Sequence, residues 1–472
     1  MLSSFAPIAL LVFLLFSAVQ LFGADASYGP NQVALLIASA AAGLVGMYRG
    51  LTWAEVQESM VAGIKVGLGP ILILLAVGGL IGSWMIAGTV PAMIYYGVSI
   101  LNPSIFFAAA AIICALASIS IGSSWTVAGT LGIGLIGIAD SYGLSPAVAA
   151  GAIISGAYFG DKLSPLSDTT NLAAACTSVD LFAHIRHMLW TTVPAFCVAL
   201  MFFSLIPSGA ATAPEQIAEL RAAISQEFNV GVGVLIPLAV MIGLIWKRVP
   251  AYPAIMLATL AGILTALTLQ ADVVRKFAFM ANPEATMPVV EGLWRTLFAG
   301  FEGTTTNEEL NRLISKGGIA SMLNTVWLIV SALAFGGVLE RTGILKQILD
   351  SVLTLVKSTG DLVAATVTGG FITNILAADQ FLAIALPGRL FSSTYDDRGL
   401  SRENLSRTLE DSATMTSALI PWNTCGAYMA ATLGVATFDY APYAIFNLAC
   451  PLIAIGFGYL AFKQKPAVPQ PA

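Results

Sequence analysis

Between Gly160 and Asn171 the chain reads GDKLSPLSDTTN, a polar island in a sequence that is otherwise nearly all apolar. Asp161 and Asp168 supply carboxylates. Ser164, Ser167, Thr169 and Thr170 supply hydroxyls, and Asn171 supplies an amide. On an unbroken helix the two acids would lie on one face, two turns apart. Pro165 sits between them, interrupts the backbone ladder and frees carbonyl oxygens. Hard cations such as Na⁺ want oxygen ligands of these kinds. A carboxylate in a low-dielectric cleft also holds a proton near neutral pH. Competition between cation and proton for one carboxylate is the simplest physics of exchange. The alternative is an extramembrane loop that caps a helix, because Ser-Asp-Thr is also good cap chemistry.

Three further groups have the same character. The stretch from Glu410 to Thr424 offers Glu410, Asp411, Asn423 and Thr424 around Pro421. There the two acids either join the cation site or pair with Arg402 or Arg407 at a membrane surface. The run SISIGSS ends in Ser123 and Ser124, which either contribute ligands or bridge neighbouring helices with no ion involved. Asn374 and Asp379 lie between apolar runs, and an intramembrane acid is a functional-site candidate by default. Asp379 near Arg389 is alternatively an interfacial acid. Lys162 beside Asp161 is a coupling candidate that tunes the acid or swings away as the ion arrives, and Glu410 and Asp411 are coupling candidates with it. His184 and His187 read as interfacial, with pH sensing as the lesser option. The five cysteines, Cys114, Cys176, Cys197, Cys425 and Cys450, lack metal-type spacing and read as small packing residues.

The elements that must hold these residues are membrane helices. Only 10% of the 472 residues are charged and 57% are hydrophobic, whereas soluble domains carry about 25% charged residues. Hydropathy places spans near 6–23, 31–48, 67–87, 103–120, 121–140, 187–207, 230–246, 251–270, 318–339, 361–377, 404–420 and 441–462. Shorter apolar pieces near 89–101, 145–160, 163–177, 378–393 and 424–438 read as half-helices or re-entrant hairpins. The first run lacks a basic n-region and a small-residue cleavage site, so it reads as a retained helix. The expected fold is all-α: a polytopic membrane protein with two inverted repeats, broken helices and re-entrant hairpins, with about 11–13 membrane elements. Residues 1–207 form the first half, 208–229 a connecting segment and 230–472 the second half. A polar interfacial insert spans 271–316, and no role is assigned to it.

Paired motifs carry the expectation of duplication. Gly78-Gly79 resembles Gly336-Gly337, Ser118–Thr126 resembles Thr373–Gln380, and 160–171 resembles 410–424. Basic residues set the orientation. Arg49, Lys65, Lys247, Arg248, Arg341, Lys346, Lys463 and Lys465 are placed inside, and the short first loop has only Asp25, so both termini are inside and the halves are inverted. The net charge of −5 is spread over loops and implies no nucleic-acid partner.

No Walker A pattern, dinucleotide fingerprint, CxxC or HExxH occurs, so coupling to an ion gradient is expected rather than catalysis. The segments SGAYFGDKLSPLSDTTNLAAA (155–175), ISIGSSW (119–125), AADQFLAIALPGRLF (377–391) and RTLEDSATMTSALIPWNTCGAYM (407–429) closely resemble the NhaC-type Na⁺/H⁺ antiporter family of the ion transporter superfamily. The resemblance covers nearly the whole chain from the third span onward. It implies a secondary transporter that exchanges Na⁺ for H⁺ across the bacterial cytoplasmic membrane, with no cofactor beyond the transported Na⁺ and H⁺, as a homodimer in the lipid bilayer. It also implies that Asp161, Asp168 and Asp379 hold the transported Na⁺. A malate/lactate-type organic-anion exchanger or an amino-acid transporter is the alternative, and a passive channel is a third class. An organic anion would need bases, and the broken segments offer chiefly Lys162 and Arg389.

Overall fold

The computed structural model describes residues 2–23, 26, 28–206, 214–303, 305 and 307–466. Asp25 and residues 208–213 of the expected connecting segment lie outside them. The described residues form helices joined by short turns. In order these are α1 (Leu2–Phe22), α2 (Pro30–Tyr48), α3 (Trp53–Val66), α4 (Leu68–Ile86), α5 (Thr89–Ile100), α6 (Phe106–Ile121), α7 (Ser124–Val127), α8 (Ile133–Ser141), α9 (Pro146–Leu163), α10 (Asp168–Thr177) and α11 (Leu181–Leu205). A central group follows: α12 (Pro214–Glu227), α13 (Ile236–Trp246), α14 (Ala251–Leu269), α15 (Ala271–Ala281), α16 (Pro288–Phe298) and α17 (Glu308–Ile314). The last third holds α18 (Leu323–Arg341), α19 (Ile344–Leu353), α20 (Thr359–Ala377), α21 (Gln380–Asp397), α22 (Arg402–Leu409), α23 (Met415–Ser417), α24 (Thr424–Leu433), α25 (Thr437–Tyr440) and α26 (Ile445–Tyr459). Among the described residues eight helices are long and apolar enough to cross a membrane, or ten if two bent pairs each count as one span. Large side chains such as Phe13, Phe16, Leu264 and Leu452 point outward, as they must where the solvent is lipid.

The chain repeats its backbone. Gly143 and Gly399 share a left-handed φ of 65°, and Ser145 and Ser401 then cap α9 and α22. Gly122 and Ala378 are both left-handed, at φ 71° and 57°. Ser123 and Asp379 follow them and cap α7 and α21 through their side chains. Ser167 and Asn423 cap α10 and α24, which end at left-handed Ser178 and Gly434. Every one of these pairs is separated by the same number of residues. The tertiary hydrogen bonds repeat as well. Ser118 donates to the Ala157 carbonyl at 2.6 Å, and Asn374 donates to the Ala413 carbonyl at 2.6 Å.

The repeats are inverted. Asp140, just before α9, meets Arg312 of the central insert, and Gly151 of α9 packs on Tyr443 at the start of α26. Near the start of α22, Ser401 and Asn404 bond to Lys465, just beyond α26. The length of α26 therefore separates the starts of the two equivalent helices.

Two sequence expectations change. The span expected at 121–140 begins at a left-handed Gly122 and contains a π-helical turn at Ala128–Gly132. The left-handed residue lies within the Ser118–Thr126 segment already paired with Thr373–Gln380, and the π-helical turn is the part that apolar content does not record. The span expected at 404–420 is α22, a π-helical turn at Glu410–Thr414 and α23, with nearly every polar residue buried. It is a protein-facing core helix rather than a lipid-facing one.

Candidate functional site

The first break is built from α6, α7, α9 and α10. Gly156 and Gly160 of α9 let α6 approach closely: a Cβ on Gly160 would lie 2.3 Å from the Ala115 carbonyl oxygen. The next residue on α9, Asp161, is 7% exposed, and one of its oxygens accepts from Ser124 twice, from Oγ at 2.7 Å and from N at 3.1 Å. A charge-assisted hydrogen bond of this kind contributes about 1.5–3 kcal/mol. Ser164 and Ser167 are fully buried. The freed carbonyls expected around Pro165 are largely occupied. Thr170 donates to the Lys162 carbonyl, and Asn171 donates to the carbonyls of Pro165 and Ser167. Thr169 is buried and shares a hydrogen bond with Ser167. Asp168 and Asn171 are exposed, because they sit on the outer side of the first turn of α10.

The second break is built from α20, α21, α23 and α24. Asp379 is 1% exposed; Oδ1 accepts from the Leu382 amide at 2.8 Å, and Oδ2 accepts no hydrogen bond. Asn374 donates to Thr416 and accepts from Asn423 at 3.0 Å, and the Thr424 amide donates to the Ala378 carbonyl. Asn374, Asn423 and Thr424 therefore brace the break, and Asp379 is the group with a buried oxygen that has no hydrogen-bond partner.

Lys162 turns away from Asp161. Its ammonium pairs with Asp411 of the π-helical turn, and both side chains are fully buried. Thr191 donates to the same Asp411 oxygen at 2.9 Å, Cys450 lies 3.1 Å from it, and Arg407 stands 4.0 Å from the other oxygen. Glu410 is buried with neither oxygen hydrogen-bonded. Arg407 was one of the expected partners, but the setting is core rather than surface, and Arg402 binds Asp396 instead. His184 and His187, expected at the interface, are buried and bond to Ser406 and Asn404.

Two clefts reach these groups. One of 540 Å³ is lined by Ser123, Ser124, Asp161, Ser167, Asp168 and Thr169, with Arg248 on its wall. The other, of 880 Å³, holds Asp379 together with Glu55, Glu58, Glu340 and Arg341. Asp161 and Asp168 thus share a cleft, and Asp379 lies in the other. Among the described residues no three His, Cys, Asp or Glu side chains gather closely enough to hold a metal ion. In the sequence Arg248 marks only orientation, not a site residue. Its distance along the chain from the broken segments hid it, although a basic residue at a hairpin between two spans is a signal of interfacial placement.

A sequence model of the Na⁺/H⁺ antiporter family matches residues 156–462. The chain is 40% identical to the Na⁺/H⁺ antiporter NhaC of Alkalihalophilus pseudofirmus, over 91% of this chain and 89% of the relative. It is 36% identical to the malate-2H⁺/Na⁺-lactate antiporter of Bacillus subtilis, over 91% and 89%. It is also 36% identical to the Na⁺/H⁺ antiporter NhaC of Bacillus subtilis, over 91% and 92%.

Proposed function

The chain belongs to the Na⁺/H⁺ antiporter family, and on that premise we propose that it exchanges Na⁺ for H⁺ across the bacterial cell membrane by alternating access. The observation that carries this reading is Asp161: a carboxylate 7% exposed, at a helix break, facing a cleft lined with hydroxyls. In a site of low polarity a charged oxygen must be matched by a cation or neutralised by a proton. Na⁺ arriving from the cleft meets the Asp161 carboxylate with the oxygens of Ser123, Ser167 and Thr169 nearby, and the proton leaves. Ser124 holds the carboxylate in place through both states. Asp379 is the second carboxylate of the exchange, with one oxygen fixed as a helix cap and one buried beside its own cleft without a hydrogen bond. The buried Lys162–Asp411 pair joins the two halves and carries movement of one to the other. The protein is a transporter, no cofactor enters this scheme beyond its cargo, and it works as a homodimer.

Proteoliposomes loaded with a pH-sensitive dye test the reading. Added Na⁺ should drive proton movement in the opposite direction, and K⁺ or choline should not. No Na⁺-dependent signal from folded, reconstituted protein would refute it.

One observation favours a second reading, exchange of organic carboxylates. Arg248 lines the Asp161 cleft and can meet an anion, whereas Lys162 is committed to Asp411 and Arg389 is exposed. Uptake of labelled malate or lactate that Arg248→Gln abolishes would establish it.

A further inference from the structure

We propose that Asp168 and Arg248 are the two sides of a gate, and that their pairing shuts the Asp161 cleft when the carrier reorients. This rests on the exchange reading above. Both residues line the 540 Å³ cleft, and both are exposed. Neither takes part in the ion pairs formed among the described residues. Opposite charges therefore stand unpaired on the walls of one cleft.

The walls belong to different parts of the fold. Asp168 opens α10 and sits on the first break, close to Leu166. Arg248 sits in the turn between α13 and α14, with Ile245 and Val249 on the same wall. That hairpin is anchored elsewhere, because α14 packs on α13 and α4. Drawing the walls together brings the carboxylate to the guanidinium. It also brings Leu166, 36% exposed, towards Ile245 and Val249. An ion pair backed by apolar side chains keeps bulk water from Asp161 behind it. Asp161 itself does not compete for the arginine: it is 7% exposed and held by Ser124.

The backbone at Arg248 is costly. The residue is left-handed, at φ 58°. Its amide donates to the Ile245 carbonyl at 2.8 Å, and the Val249 amide donates to the Leu244 carbonyl at 3.0 Å. This is the helix-ending turn that glycine makes with least strain. After α4 and α18 the same position is filled by Gly88 and Gly343, at φ 72° and 71°. After α13 it carries a long cation whose side chain the turn does not need. Strain of this kind persists where the side chain has other work. On the exchange reading the cleft brings Arg248 no anion, and the exposed carboxylate it can reach when the walls close is Asp168.

With the gate open, Asp161 trades Na⁺ and H⁺ with the side of the membrane that the cleft faces. With it shut, the carrier turns without spilling either. Such closures set the turnover of many carriers and enzymes.

Two measurements test the gate. The first uses protein carrying Cys176→Ser and Cys197→Ser, which removes the two cysteines that are not buried. Asp168→Cys and Arg248→Cys are added, and the pair is bridged by a short bis-methanethiosulfonate that spans as much as an arginine–aspartate pair. Peptide mapping should find 168 joined to 248. Na⁺-driven proton movement in proteoliposomes should fall about tenfold or more and return on reduction. The second measurement exchanges the charges. Arg248→Asp and Asp168→Arg should each slow exchange about tenfold, and the swapped double variant should return to within about threefold of wild type. A double-cysteine protein that exchanges but yields no 168–248 bridge overturns the gate. So does a bridged protein that exchanges as fast as the reduced one. A folded swap no faster than the slower single variant overturns it as well. If the swap does not fold, the cysteine pair decides. Wild-type protein that moves no protons on Na⁺ addition refutes the exchange reading instead, which separates the two failures.

Discussion

The two breaks share a backbone and differ in where they keep their charge. In the first half the acid is on the crossing helix, Asp161 of α9, and the hydroxyl donor is at the start of the facing helix, Ser124. In the second half the acid is at the helix start, Asp379. The crossing helix carries Ser417 at the position equivalent to Asp161, bonded to Gln380 at 3.4 Å, the position equivalent to Ser124. The close approach of helices is also exchanged. Gly156 and Gly160 on α9 provide it in one half, whereas Gly370 on α20 meets Ser412 in the other. Duplication thus conserved turns, caps and register, which set geometry, while side chains diverged into two unlike carboxylates. Asp161 is held by two hydrogen bonds, and Asp379 keeps one oxygen without a hydrogen bond.

The halves can be pulled apart most strongly at the pair that joins them. Lys162→Met strands Asp411 and should destabilise the protein by about 3–5 kcal/mol, while Lys162→Met with Asp411→Leu should recover most of that loss. Thermal unfolding in detergent reads both, and equal melting temperatures for the single and double variants would show that the pair does not bind the halves. Asp161→Asn keeps the shape and the contact with Ser124 but removes the charge. Exchange should fall about a hundredfold, equivalent to about 2.7 kcal/mol, with the melting temperature preserved. Asp379→Asn retains a competent cap, and its loss should be smaller, about tenfold or 1.4 kcal/mol. A larger loss at Asp379 than at Asp161 would reverse the assignment of roles. Ser417→Ala should lower exchange and stability least, by about 1 kcal/mol, since it removes only neutral hydrogen bonds, a long one to Gln380 and a local one to the Thr414 carbonyl. If Ser417→Ala matched Asp161→Asn, the repeats would be functionally equivalent after all.

Much of this was legible in the sequence because it is local. Apolar runs mark the long spans, and Pro165 between Ser164 and Ser167 marks the break that separates α9 from α10. The similarity of Ser118–Thr126 to Thr373–Gln380 reflects a real duplication of hydrogen bonds. What was hidden depends on contacts between distant residues. Lys162 stands beside Asp161 in sequence, yet successive residues on a helix point in different directions, and its partner Asp411 lies on the other half. Asp168 and Asn171 have the same composition as their buried neighbours and differ only in which side of α10 they occupy. The break at Gly122 falls inside the Ser118–Thr126 segment that the sequence pairs with Thr373–Gln380, whereas the π-helical turn at Ala128–Gly132 was hidden because it leaves hydropathy unchanged. Arg248 could be assigned to a hairpin but not to a cleft wall, since that needs the packing of α14 against α4.

The partner of Lys162 arrives late. Asp411 follows it by 249 residues, so at about 5–20 residues per second a ribosome takes about 12–50 s to deliver the acid after the base. Throughout that interval the nascent chain holds an amine destined for the protein core without the partner it has in the fold. Insertion of α9 therefore has to remain provisional, with Lys162 in water or at the headgroups, until the last third of the polypeptide leaves the translocon. Assembly of the first half is completed by the second.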